Sequence, residues 1–481
     1  MLARVSKYEL IGGSSVTLVI PGVEVRVVKE VVAPQLSPSG ILGLVGITQN
    51  VLSDLTPVQS FSRFLELYGA SSAYSMPEAA QALANGVAEL IVSPVAANDA
   101  TAKAATASVD GETKDGQGKP VPAFTLAARA RGAWGNALSA TIARRKTLDG
   151  TEVFDLAIMR GQDTLELLRN LTAPPVNDAA SVQPGSRDQA SQLVTVQPGS
   201  GGLPVAGTYG FANGADASAD GIRAAIEALN SEPEVDMVLV SMQDMSDRAK
   251  VARVYGDVIS HCQRMSAISQ GRIGFGQTPP PTANAVADVQ AWAELANNLR
   301  SDRFVLVAPF GTAGAVAGMV GSLDYFQSPT FKTVAGLTTL SRKLAVEEQE
   351  TLLNAGIVPV ANMRDRGTIV VRGLTTDGDQ ISVRRVADRA VRGVKLIGNL
   401  FIGRLNNETG RGALKQKLTE FLVQMERDGA IVPSTDGKQP AFAVDVYSTQ
   451  SDFSQGIVRV SLAVRPVRAI DYIYATVLVQ A

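Results

Sequence analysis

Two residue types that carry much of enzyme and metal chemistry are nearly missing from this chain. Among 481 residues there is one cysteine, Cys262, and one histidine, His261. A single cysteine cannot close an internal disulfide, and one histidine beside it cannot complete a multi-ligand zinc site, so no cofactor and no metal are expected. Charge of one sign is lacking as well. Lys plus Arg number 44 against 46 for Asp plus Glu, so no net basic field draws a polyanion, and direct nucleic-acid binding is not expected. Long hydrophobic runs are also missing: the apolar stretches 41–47 and 304–309 are far shorter than the ~20 residues that cross a bilayer, and no membrane insertion is expected. The first nine residues carry Arg4, Lys7 and Glu9 and lead into Gly12-Gly13 without the apolar core of a signal peptide. A soluble chain made in a cytoplasm is the expectation.

What is present is a globular composition. With 45% hydrophobic and 19% charged residues the chain stands away from the polar, highly charged corner where polypeptides stay disordered. Its length corresponds to about three ordinary domains. After Pro21-Gly22, Val23, Val25 and Val27 alternate with Glu24, Arg26 and Val28, a strand period within an N-terminal arm taken as residues 1–30. Residues 31–96 and 213–339 share one character. Apolar strand runs at 41–47, 89–92, 235–240 and 304–307 alternate there with helical spacing at 61–68, 78–85, 220–229, 247–263 and 284–299. That alternation predicts a largely parallel sheet, so the fold class is α/β and multidomain. Residues 97–212 between them read as a nested β-rich insertion, with strands at 124–129, 137–144 and 153–160. Its far side, 173–207, holds Val182-Gln183-Pro184-Gly185-Ser186 and Val196-Gln197-Pro198-Gly199-Ser200, two copies of one turn chemistry.

Residues 340–467 read as an α+β domain. In its first helix Val386, Ala390, Val394, Ile397 and Phe401 form one face, and Arg385, Arg389, Arg392 and Lys395 form a basic stripe expected to face outward. A second helix, with Leu414, Leu418, Phe421, Leu422 and Met425 on one face, starts after the capping asparagines Asn406 and Asn407 and stops at Gly429. Two strands at 441–447 and 457–464 follow, then a β-branched and aromatic run at 470–480 within a C-terminal arm, 468–481.

No constellation for chemistry assembles. His261 and Cys262 are adjacent in a helical pattern and so point apart, a poor nucleophile and base. The glycines of 311–318 do not keep dinucleotide-binding spacing and are assigned to tight packing. Gly118-Lys119 is followed by Pro120 where a phosphate loop needs Ser or Thr. Glu347-Glu348 and the pair Asp377 and Asp379 read as solvated faces or turns. The chain is therefore not read as an enzyme. The terminal strands carry a different requirement, because an unpaired strand exposes bare backbone donors and acceptors. Pairing within the chain's own sheet and donation to another chain's sheet edge both meet it.

Four stretches together resemble the tail sheath proteins of contractile phage tails and related contractile injection systems. They are Pro21-Gly22-Val23-Glu24-Val25 with the small-residue strand 43–48, then Gly132-Ala133-Trp134-Gly135-Asn136 in the insertion. The third runs from Val334-Ala335-Gly336-Leu337 through Leu352-Leu353-Asn354-Ala355-Gly356 to Arg366-Gly367, and the fourth from Asn406-Asn407-Glu408 to Arg465-Pro466-Val467-Arg468. Glu24 departs from the aromatic often found in the family's opening. The resemblance implies a structural subunit that polymerises helically around a tail tube and contracts to drive the tube through the host envelope. It implies copies of the chain itself, the tube protein, and baseplate and tail terminator proteins as partners, in a virion tail assembled in the host bacterial cytoplasm. It also implies strand exchange. Val23, Glu24, Val25, Arg26, Val27, Ile470, Tyr472, Ile473, Tyr474 and Val477 would be donated to a neighbour's sheet, and Phe442, Val444, Val446, Val458, Val460 and Leu462 would receive. Arg385, Arg389, Arg392, Lys395, Arg411, Lys415 and Lys417 are the residues expected to face the tube. The rival readings are the sheath of a phage-derived injection particle and, from another class, an α/β enzyme with its site at the ends of the parallel strands.

Overall fold

The structure is a computed structural model and describes residues 36, 38–178, 189–472 and 474. Strand β1 (Ile41–Gly46) is buried at every position, the pattern of a strand covered on both faces. The short strand β2 (Pro57–Val58), helices α1 (Phe61–Tyr68), α2 (Ser72–Ser75) and α3 (Pro77–Ala84), and strand β3 (Glu89–Pro94) follow. Ser60 caps α1 by accepting from the Arg63 amide, and Phe64 and Tyr68, one turn apart, are its buried residues.

The insertion contains β4 (Thr106–Lys114), β5 (Pro120–Ala128), β6 (Leu138–Lys146), β7 (Glu152–Arg160), β8 (Asp163–Leu171), β9 (Val194–Pro198) and β10 (Gly207–Gly210). They make one sheet in the order β10-β6-β7-β8 and another in the order β4-β5-β9. Both bury side chains in a common core that includes Val109, Phe124, Leu126, Ile142, Phe154 and Leu156. The β-rich reading holds, but the stretch 173–207 is more than turns: Val196, Gln197 and Pro198 close β9, paired with β5. Pro198 lacks an N–H and sits at the strand end, where its loss from the ladder matters least. Gly199 passes so near β5 that a Cβ there would lie 2.1 Å from the Pro122 carbonyl oxygen. The other copy of the turn sequence, 182–186, lies outside the described residues.

Back in the middle of the chain come α4 (Ala219–Ala228), β11 (Met237–Val240), α5 (Arg248–Ala267), β12 (Ile273–Gln277), α6 (Ala285–Asn298), β13 (Phe304–Ala308), α7 (Ala313–Ser322), α8 (Val346–Asn354), β14 (Ile357–Met363) and β15 (Gly367–Val370). The sheet runs β15-β14-β13-β12-β11-β1-β3-β2. Its inner strands are parallel, and the edge strands β2 and β15 are antiparallel. One face packs against α4, α5 and α6, the other against α1, α3 and α7. The glycines of α7 serve close packing, as expected: a Cβ on Gly318 would lie 2.4 Å from the Ala82 carbonyl oxygen of α3. Strands β14 and β15 lie beyond the division drawn at residue 340 and still extend this sheet, because Leu306, Val307 and Ala308 present a parallel edge that Ile357, Val358 and Pro359 complete.

The remaining body holds α9 (Ile381–Asn399), α10 (Glu408–Arg427), β16 (Phe442–Tyr447), α11 (Gln450–Ser454) and β17 (Arg459–Val464). Asn407 caps α10 by accepting from the Gly410 amide, and Gly429 ends it with a φ of 77° that favours glycine. Strands β16 and β17 form a two-stranded antiparallel pair, with Phe442 opposite Val464, Val444 opposite Leu462 and Val446 opposite Val460. These side chains pack on α9 and α10.

Candidate assembly site

In an open α/β sheet ligands bind at the carboxyl ends of the strands, where the strand order reverses. Here that point lies between β1, which continues to β3 on one side, and β11, which continues to β12 and β13 on the other. Polar groups do converge there. Glu78 accepts from Ser241 Oγ at 2.6 Å and Gln277 Nε2 at 3.1 Å, and Tyr255 Oη donates to the Gln277 carbonyl at 2.8 Å. Burial pushes the Glu78 carboxyl above its ordinary range. The sequence reading found no such set, because its members are scattered along the chain. The signal was a polar residue closing or following each apolar run, Ser241 after β11 and Gln277 at the end of β12.

Between β1 and β11 the crevice is nonetheless filled, and the cavity of about 540 Å³ at this end of the sheet lies further along, between the loops after β11 and β12. Trp134 of the insertion is buried over it and donates to the Ala130 carbonyl at 3.0 Å, stacking on Tyr74 at 5.9 Å. Asp216 accepts from the amides of Ala133, Gln243 and Asp244 at 2.8, 2.9 and 2.7 Å, tying the insertion turn to the loop after β11. The space left between them is about 10 Å³, against the several hundred of a ligand pocket. The Gly-x-Trp-Gly-Asn turn thus plugs the space between the insertion and the middle sheet. His261 and Cys262 are inert too. Both are buried on α5; His261 Nε2 lies 2.7 Å from Arg272 Nη1, and burial holds it down at about 3. Burial likewise pushes the Cys262 thiol up to about 12, so no thiolate forms near neutrality.

The basic stripe of α9 faces outward only in part: Lys395 is exposed, Arg389 and Arg392 are half-buried, and Arg385 is buried. Arg385 is buried and donates to the carbonyls of Val320 and Leu323 at 2.7 and 3.3 Å. Arg392 donates to those of Pro233, Val235 and Gly271 at 2.8, 2.7 and 3.1 Å, and Lys395 to that of Ile268 at 2.8 Å. Arg389 lies over the Tyr325 ring at 5.5 Å. Val320 and Leu323 close α7, and Ile268 closes α5, so Arg385 and Lys395 meet helix C-termini whose last carbonyls lack partners in their own helix. Long apolar stems let these side chains lie inward, which helical spacing of charge does not reveal. Asp388 on the same helix completes the clamp: Arg303 grips it with both nitrogens at 3.0 and 3.2 Å, and Arg384 joins at 2.8 Å. Of the other residues expected at a tube, Arg411 donates to Asn406 Oδ1 at 2.9 Å, while Lys415 and Lys417 pair with Asp445 and Glu420 near the surface of α10.

The expected receiving residues are brought together. Phe442, Val444 and Val446 on β16, Val460 and Leu462 on β17, and Val458 just before it all belong to the half-buried layer on α9 and α10. Among the described residues no further strand pairs with either outer edge of β16 and β17. Beside β17 a groove of about 590 Å³ opens toward α9, lined by Val391, Val394, Phe401, Ile402 and Leu405. Ile402 and Leu405 are 81% and 79% exposed. Of the expected donors, Val23, Glu24, Val25, Arg26, Val27, Ile473 and Val477 lie outside the described residues. Ile470, Tyr472 and Tyr474 are exposed and belong to no strand.

A parallel sheet with its crevice plugged, joined to a body with an uncovered strand pair, defines a protein built for assembly. Comparison narrows the class. Residues 215–376 match the family model described as the phage tail sheath protein central domain, and 375–480 match that of the phage tail sheath C-terminal domain. Together these span more than half of the chain: it belongs to the phage tail sheath proteins, and is a structural protein and not an enzyme. Its fold is similar to the helical sheath of the anti-feeding prophage in the contracted state, with a TM-score of 0.54 and 14% identity over 96% of this chain and 99% of that one. It is also similar to the PVC sheath complex of an extracellular contractile injection system, also contracted, with 0.53 and 12% over 96% and 98%. A sheath tail protein of Listeria innocua gives 0.50 and 15% over 91% and 94%. No curated protein sequence matches.

Proposed function

We propose that this chain is the repeating subunit of a contractile sheath, polymerising helically around a tail tube and closing its lattice by strand donation into the β16–β17 pair. The observation that carries the proposal is that pair. Two strands covered on one face and open at both edges are marginal alone, and a donated strand on β17 would lay its alternate side chains into the adjoining apolar groove. N-terminal residues around Val23–Val27 and C-terminal residues beyond Tyr472 are the donors, each with the alternation a groove-facing strand needs. Contraction is then a move between two lattices of the same subunits, driving the tube through the host envelope. Tube protein, baseplate and terminator are its partners, in a tail assembled in the bacterial cytoplasm. The tube contact falls to the members of the set that reach the surface, Lys395, Arg411, Lys415 and Lys417, because Arg385 is buried and Arg392 is engaged with three backbone carbonyls.

Electron microscopy of the purified chain tests this. Wild-type protein forms long hollow cylinders, and a chain lacking residues 473–481 stays monomeric. Cylinders from the truncated chain would refute strand donation. Reversing Lys415 and Lys417 to Glu leaves cylinders intact but loosens them from the tube, and unchanged co-assembly with tube protein would remove those lysines from the contact. A second reading, favoured by the likeness to two injection-system sheaths, is a phage-derived particle without a genome. A capsid gene beside this one would decide for genome ejection, a lone tail cluster for the particle.

A further inference from the structure

The chain does not leave the subunit directly from β17. Past Val464 it runs along residues 430–432: Val432 donates to the Arg465 carbonyl and Val467 to that of Ala430, both at 3.0 Å. It then crosses to the loop between β15 and α9. There Asp471, with only 7% of its side chain exposed, accepts from Arg372 Nε at 2.9 Å and Gln380 Nε2 at 2.8 Å. Gln380 is buried, and also grips the backbone of Ala469 twice: its Nε2 donates to the Ala469 carbonyl at 3.1 Å and its Oε1 accepts the Ala469 amide at 2.9 Å. Arg468 donates to Asp379 Oδ1 at 2.7 Å, and Arg372 lies over the Tyr472 ring at 5.2 Å.

Five polar contacts within residues 468–471, three of them from the one buried amide of Gln380, are far more than an exposed chain end needs. Those to the charged Asp471 and Arg468 are of the stronger, charge-assisted kind. The cluster also bridges the two bodies, because Arg372 follows the last strand of the middle sheet and Gln380 immediately precedes α9.

We propose that Asp471, Gln380 and Arg372 form an anchor that pins the root of the C-terminal arm to its own subunit, so that only residues beyond Tyr472 pass to a second copy of this chain. The proposal rests on the strand-donation reading and locates its starting point. Without the anchor, tension on a donated strand would peel the 465–467 contacts from the 430–432 segment one hydrogen bond at a time. With it, the pull reaches the middle sheet through Arg372 and α9 through Gln380. The donor role assigned to Ile470 and Tyr472 therefore passes to the residues after them.

Trypsin reads the anchor directly, since Arg468–Ala469 is a cleavable bond beside it and Arg465–Pro466 is not. In the full-length monomer, release of the fragment beginning at Ala469 is slow. It rises about tenfold in Asp471→Ala and less in Asp471→Asn, which retains the acceptor for Gln380 and loses the ion pair with Arg372. The melting temperature of the body stays within a few degrees in both. Equal cleavage in all three proteins overturns the anchor, and so does a global loss of stability that opens every site together. Assembly separates the two proposals. If the 473–481 truncation still polymerises, strand donation fails whatever trypsin shows. If the truncation fails to polymerise while Asp471→Ala cleaves rapidly yet forms cylinders as resistant to urea as wild type, the anchor alone is overturned.

Discussion

The middle sheet and the β16–β17 pair are made of similar residues and end in opposite states. The middle sheet has eight strands, helices on both faces, short antiparallel strands at both edges and its crevice plugged by Trp134. Among the described residues the pair has two strands, helices on one face, open edges and a groove alongside. Burial patterns record the difference: β13 is buried at every position, whereas β17 alternates exposed with half-buried. One sheet is finished within the chain. On the strand-donation proposal the other is left for a neighbour to finish.

The contrast predicts where damage falls. The largest effect is expected at the clamp between the two bodies. Asp388→Ala leaves Arg303 buried without its carboxylate, and loss of one partner of a buried pair costs about 3–5 kcal/mol, seen as a lowered urea midpoint. A drop below about 1 kcal/mol would mean that the two bodies dock without this ion pair. A smaller effect is confined to the middle body and depends on pH. His261 is held at about 3 when folded, against about 6.5 unfolded, so below 6.5 the unfolded chain takes up a proton that the folded one refuses. Stability therefore falls as pH drops from about 6.5 toward 3, by up to about 1.4 kcal/mol per pH unit, and His261→Gln flattens that slope. Glu78 works in the opposite sense: its raised folded value means stability is lost as pH rises above its unfolded value. Denaturation midpoints across pH 4–8 resolve the two, and a slope unchanged by His261→Gln would contradict the assignment.

The parallel sheet was legible because its strands are apolar runs of the right length and its helices keep their spacing, as at Ile222 and Ile226, and α10 was legible from the same spacing at Leu414, Leu418 and Leu422. The glycines of α7 were legible for a similar reason, a run of small residues that does not keep dinucleotide-binding spacing. The burial of Arg385 and the inward turn of Arg392 were not legible, because charge on a helix says nothing about whether carbonyls wait opposite. Strands β4, β8 and β9 were missed because one side of each is polar and exposed, and a turn sequence overlaps β9. The anchor at Asp471 joins residues about ninety positions apart, and no local pattern carries it.

Amide hydrogen exchange of monomer and assembled sheath tests the central claim most directly. The account predicts slow exchange in β1, β11, β12 and β13 in both states. In the β17 strand, Arg459–Val464, the amides pointing away from β16 should exchange fast in the monomer and at least tenfold slower in the sheath. Equal exchange of those amides in the two states would contradict it.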